Sequence, residues 1–82
     1  MTKRVIVSNL EKKHKNAIAE LVQKACKYES HIELSGNGKN INGKSLMGMM
    51  AFGLHDGMKV DVSAEGEDAE QAIADICEFL AS

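Results

Sequence analysis

The sequence predicts an α+β fold, a mostly antiparallel sheet covered on one face by helices. Three observations lead there. Short β-branched or alternating segments recur at residues 3–8, 31–34, 39–42 and 58–64. Two other segments, from about Asn16 and from Gly66, repeat apolar residues at helical spacing. The chain has 82 residues, enough for one core and one covering layer in a single domain spanning 1–82. The predicted order is β-α-β-β-α-β-α, a two-layer sandwich.

The first strand is Lys3–Ser8, where Val5, Ile6 and Val7 stand together. Residues 9–15 are polar and lysine-rich and read as a loop. In the first helix, Ile18, Leu21, Val22 and Ala25 form one apolar stripe, with Glu20, Gln23, Lys24 and Lys27 off it. Asn16 is expected to cap this helix with its side chain. His31–Leu34 alternates with Ile32 and Leu34 on one face. Ser35-Gly36-Asn37-Gly38 then turns the chain, because Gly and Asn tolerate positive φ. Lys39–Asn42 returns as a short strand with Ile41 inward. Lys44–Phe52 gives about two helical turns closed by Gly53. In Met58–Ala64, Val60, Val62 and Ala64 oppose Lys59, Asp61 and Ser63. The last helix opens on Glu67, Asp68 and Glu70, which suit the positive end of its dipole. It buries Ala69, Ala72, Ile73, Ile76 and Leu80.

Composition excludes several function classes. A core this small leaves no room for a deep substrate cavity, so chemistry belongs on the surface. A net charge of −2 gives no general attraction to nucleic acid or to a membrane surface. The apolar runs fall far short of the roughly 20 residues of a membrane span, and the first residues lack a signal-peptide apolar segment. Cys26 and Cys77 form no C-x-x-C pair and read as buried or half-buried free thiols, which implies a cytoplasmic setting. His31 and His55 have no metal-ligand spacing, so no metal and no cofactor is expected. Gly43-Lys44-Ser45 spells the end of a nucleotide-binding loop, but its upstream glycine spacing and context are wrong.

One run concentrates the functional signals: Asn42-Gly43-Lys44-Ser45-Leu46-Met47-Gly48-Met49-Met50. Ser45 stands where a helix begins and can cap it. A phosphate there would add about −1.5 to −2 charge beside free amides that favour an anion. Leu46, Met47 and Met50 share one side of the helix, while Met49 and Phe52 point elsewhere, inward. Flexible, polarizable thioethers suit a surface that meets several partners. An ordinary capped, packed helix is the competing description.

This run closely resembles the regulatory serine segment of the histidine-containing phosphocarrier family, HPr. Gly66-Glu67-Asp68-Ala69, Tyr28 and the hairpin Gly36-Asn37-Gly38-Lys39 also fall where that family has them, so the resemblance spans nearly the whole chain. It implies an open-faced β-sandwich. It also implies a carrier of the phosphoenolpyruvate-dependent sugar phosphotransferase system, with His14 accepting a phosphoryl group from enzyme I and donating it to sugar-specific enzyme II components. Ser45 would be the regulatory serine, met by a serine kinase, and Leu46, Met47 and Met50 the partner-binding patch, with a transcriptional regulator among the candidate partners.

The histidine loop departs from the family pattern. There the motif reads Gly, aliphatic, His, Ala, Arg, Pro. Here Lys12, Lys13, His14, Lys15, Asn16 and Ala17 stand in those places. A neutral imidazole is the nucleophile, helix amides receive phosphate oxygens, and a cation neutralises charge. The bidentate arginine is absent; a hydrogen bond to a charged group contributes about 1.5–3 kcal/mol. Lys12, Lys13 and Lys15 supply point charges instead, which also favour the neutral imidazole, and Asn16 takes over the helix start. The rival function is a regulatory HPr-like module switched at Ser45, with little or no carrier activity.

Overall fold

The computed structural model describes residues 1–13 and 15–81, without the side chains of Glu11 and Lys13. Four strands form one antiparallel sheet: β1 (Thr2–Ile6), β2 (His31–Gly36), β3 (Lys39–Asn42) and β4 (Lys59–Glu65), in the order β1-β4-β2-β3. Four helical segments accompany them: α1 (Leu10–Lys13), α2 (Ala17–Cys26), α3 (Leu46–Phe52) and α4 (Ala69–Ala81). The predicted α+β layers and antiparallel sheet are present.

Alternation decides the sheet faces. Ile32 and Leu34 of β2 and Val60, Val62 and Ala64 of β4 are buried; Leu34 pairs with Val62, and Ile32 with Ala64. Leu21, Val22 and Ala25 of α2, Met49 and Phe52 of α3, and Ala72, Ile76 and Leu80 of α4 close the same core. The opposite face is open and polar. On it Arg4 Nε donates to Asp61 Oδ1 at 2.8 Å, and this pairing raises the guanidinium's pKa and lowers the carboxyl's. The β2–β3 hairpin turns through Asn37 and Gly38, with φ of 50° and 77°, matching the twist that antiparallel strands need.

Several boundaries and roles differ from the sequence reading. Residues 9–15 are not all loop: α1 adds a helical turn, and the order becomes β-α-α-β-β-α-β-α. Leu10 is buried, and its N–H donates to the Asp56 carboxylate at 3.0 Å. One apolar residue in a polar run carries no periodicity, so tertiary contact creates this turn. β1 ends at Ile6, although the Val7 N–H still donates to the Met58 carbonyl at 2.9 Å.

Glu67 and Asp68 precede α4 rather than filling its first turn, which contains only Glu70. The Asp68 carboxylate instead accepts from the Glu29 and Ser30 amides at 2.9 Å each and from the Ser30 hydroxyl. Those bonds, led by the one from Ser30, hold its carboxyl below the usual range. Cys77 is buried, which pushes its thiol pKa up, whereas Cys26 is exposed because α2 ends there, beyond its apolar stripe.

Candidate functional site

The Ser45 segment is fixed by the chain that precedes it. The Gly43 N–H donates to the Ile32 carbonyl at 2.8 Å, pinning the chain over β2. A Cβ at Gly43 would lie 2.8 Å from Ile32 Cγ2, so this approach requires glycine. Asn42 then turns the backbone: its side-chain Oδ1 accepts from the Lys44 N–H at 2.9 Å, and its carbonyl accepts from the Ser45 N–H at 3.0 Å.

Ser45 is the N-cap of α3, with φ −98° and ψ 113°, and its Oγ accepts from the Gly48 N–H at 3.1 Å. The hydroxyl hydrogen is not used in that bond, and the residue is half-buried. A Cβ at Gly48 would stand 3.2 Å from Ser45 Oγ, so glycine keeps space beside the hydroxyl. The first turn of α3 has no acidic side chain to repel added negative charge. The Lys44 Nζ donates to the Tyr28 carbonyl at 2.6 Å, tying the start of α3 to the α2–β2 connection.

Tyr28 is itself held. Its hydroxyl donates to the Asp75 carboxylate at 2.5 Å, and that bond pushes its pKa up to about 12. Lys24 Nζ donates to the other Asp75 oxygen at 2.9 Å. Burial raises the Asp75 pKa, but these two hydrogen bonds outweigh it and hold the group low.

The outer side of α3 is apolar and uncovered: Leu46 is 47% exposed, Met47 83% and Met50 68%, while Met49 and Phe52 lie in the core. The helix closes on Gly53 in the left-handed conformation. Its start meets the end of α2, where Cys26 Sγ lies 4.0 Å from the Lys44 carbonyl. Its end leads to Asp56, which caps the start of α1. Leu10, Leu54, His55 and Asp56 line a depression of about 310 Å³ there. A seven-residue helix is about 10 Å long. Helix α3 therefore spans the short distance from Ser45 to Leu54 and Asp56, which line that depression with Leu10 of α1.

The chain is anchored on both sides of position 14. Before it, Ser8 N–H donates to the Leu80 carbonyl at 2.9 Å, and Asn9 adopts φ 54°. After it, α2 starts at Ala17. Lys12, Lys15 and Asn16 are exposed. His14 and the Lys13 side chain lie outside the described residues. The expected side-chain cap from Asn16 is absent: at φ −135° and ψ 67° its side chain makes no capping bond. The Asn16 N–H instead donates to Glu20 Oε2 at 3.1 Å. A carboxylate thus occupies an amide at the helix start, two residues from His14, where the sequence reading expected helix amides to receive phosphate oxygens. The signal was present in the four-residue spacing from Asn16 to Glu20, but the asparagine side chain offered a more familiar cap. Lys44 and Asp56 were also missed as positioning residues, since their partners are distant in sequence.

The comparisons with known proteins agree with this architecture. The family model described as the PTS HPr component phosphorylation site matches residues 1–82. A curated phosphocarrier protein HPr from Borreliella burgdorferi is 34% identical over 80 residues, covering 98% of this chain and 93% of its own length. The structure of HPr-C-His from Thermoanaerobacter tengcongensis superimposes with a TM-score of 0.87 at 34% identity, covering 98% of this chain and 90% of that one. A phosphocarrier protein HPr from Bacillus anthracis str. Ames gives a TM-score of 0.86 at 31% identity, over 98% and 95% of the two chains.

Proposed function

The chain belongs to the HPr family of phosphotransferase-system phosphocarriers, and within that family we propose that His14 is the group that carries the phosphoryl. A neutral imidazole nitrogen attacks phosphorus on phosphorylated enzyme I, the donor's bond to phosphorus breaks, and the reverse exchange delivers the group to an enzyme II component. Leu46, Met47 and Met50 dock these partners. Lys12, Lys13 and Lys15 replace the family arginine as sources of positive charge, and the Asn16 amide turns to the phosphate by leaving Glu20 Oε2. The exchange takes place in the cytoplasm; no helix among the described residues is long and apolar enough to cross a membrane.

The observation that carries this reading is the whole-chain family match in a sequence that keeps histidine at position 14. The test mixes the protein with enzyme I and phosphoenolpyruvate. An acid-labile phosphoryl mass gain is expected in the wild type and not in His14→Ala. No gain under conditions that label an ordinary HPr would sink the carrier role.

One observation favours a second reading. The arginine and proline positions beside His14 are lost, and Glu20 holds the Asn16 amide at 3.1 Å. A regulatory module switched at Ser45 needs neither. Its surface is the same exposed side of α3, and its switch is a phosphate added by a serine kinase beside the patch, which a regulator then reads. Incubation with such a kinase and ATP should label the wild type and not Ser45→Ala; an unlabelled wild type removes the switch.

A further inference from the structure

Oxidisable sulfur is sorted in this molecule. Of the five methionines, Met49 and Met58 are buried at 0% and 3% exposure, whereas Met47 and Met50 are open at 83% and 68%. Cys77 is buried and Cys26 is exposed, with its sulfur 4.0 Å from the Lys44 carbonyl at the start of α3. Three of the four exposed sulfurs therefore belong to α3 or border its first turn. The fourth is Met1, at the first residue of the chain.

We propose that Met47 and Met50 form a peroxide-sensitive modification site, and that their sulfoxides weaken docking on the outer side of α3. This rests on the docking role proposed above. The thioether sulfur attacks one oxygen of a peroxide. An S–O bond forms as the O–O bond breaks, and the second oxygen leaves as water when the peroxide is hydrogen peroxide. Sulfur loses two electrons and the peroxide gains them.

The product is a flexible side chain carrying a strong polar acceptor. Free in water that change costs the fold nothing, since neither side chain contributes to the core. Pressed against an apolar partner surface, the new oxygen must give up water without a donor to replace it. Met49, one position from Met50 and two from Met47, is fully buried and so is shielded from the same reagent. The site therefore senses oxidation at the surface without loss of the domain, and it is restored by a sulfoxide reductase.

The test uses the full chain in a Cys26→Ser background, treated with graded hydrogen peroxide, mapped by mass spectrometry and titrated against enzyme I. Met47 and Met50 should gain oxygen at least about tenfold faster than Met49 and Met58. Affinity for enzyme I should fall roughly tenfold and return after treatment with methionine sulfoxide reductase. In the M47L/M50L variant, the affinity that remains should not respond to peroxide. Full affinity with both sulfoxides in place overturns the proposal while leaving the docking surface intact. A loss that persists in M47L/M50L overturns it as well. A reduced wild type that does not bind enzyme I overturns the docking role, and this proposal with it.

Discussion

The two ends of the α3 surface are built differently. At the Ser45 end, backbone geometry is over-determined: Gly43 is pinned to β2, Asn42 turns the chain, Lys44 is tied to Tyr28, and Ser45 caps a helix whose inner side is core. At the histidine end, one buried leucine and one carboxylate hold α1, and Lys12 within it and Lys15 and Asn16 after it are exposed. Packing specifies the first region; charge and a few long-range caps specify the second. Outside the buried core, substitutions should therefore act mainly on stability at one end and mainly on phosphate chemistry at the other.

The largest effect should come from cutting the inner side of α3. Phe52→Ala should destabilise the domain by about 3–5 kcal/mol in a denaturant titration. Leu10→Ala, its counterpart under α1, should cost about 2–5 kcal/mol. Equal and small losses at both positions would contradict the packing described here.

Acid should act next, and on the Ser45 side. Asp75 supports Tyr28, and Asp68 clamps the start of β2; both carboxyls titrate below their ordinary value in the folded protein. Their contribution is fully present above the unfolded pKa, near 4, and is lost as pH falls through the lower folded values. The melting temperature should therefore drop below about pH 4, and less so in a Tyr28→Phe, Asp75→Asn double variant. An unchanged acid limb in that variant would remove Asp75 from the account.

Ser45 itself should matter less to folding. Ser45→Ala removes the cap and should cost about 1 kcal/mol, while Ser45→Asp, an equally good cap, should stay within roughly 0.5 kcal/mol of wild type. The aspartate should still weaken docking, because it sets a charge beside an apolar patch. A destabilised Ser45→Asp with unchanged docking would reverse the roles assigned to this residue.

This contrast explains what the sequence made legible. Ile32, Leu34, Val60, Val62 and Ala64 announced the sheet because alternation is local. Ser45 was readable as a cap because its acceptor role involves Gly48, three residues on. Asp56 and Asp68 were not, because they cap backbone 46 and 38 residues away. Nothing in the spacing of a turn aspartate or an acidic helix start distinguishes those tasks. Likewise the exposed thioethers of α3 followed from helix geometry, whereas the lysine tether from Lys44 to Tyr28 depends on how α2 meets α3.

Moving to the charged end, Lys12→Gln with Lys15→Gln should leave stability within about 0.5 kcal/mol, since both side chains are exposed. Phosphoryl transfer from enzyme I should slow several-fold at low salt and approach wild type as salt rises, because exposed charges act through a screened field. A salt-independent defect would mean that these lysines act through contact rather than field.

Glu20 offers the smallest effect and the sharpest discrimination. Its carboxylate holds the Asn16 amide at 3.1 Å, so a phosphoryl group on His14 would compete with a resident anion for that donor and be repelled by its charge. Glu20→Gln keeps an oxygen able to accept from Asn16 but removes the charge. On the carrier reading, the phosphorylated form should then last longer, by roughly two- to threefold in a hydrolysis time course, a shift of well under 1 kcal/mol. On the same reading, loss of that negative charge should also lower the His14 imidazole pKa, seen by NMR titration of the unphosphorylated protein. A purely structural role for Glu20 predicts neither change, because the cap survives in the glutamine. If the lifetime stays the same while the imidazole pKa falls, the carboxylate influences the histidine but does not compete for phosphate. The amide of Asn16 would then lose its assigned part in holding the group.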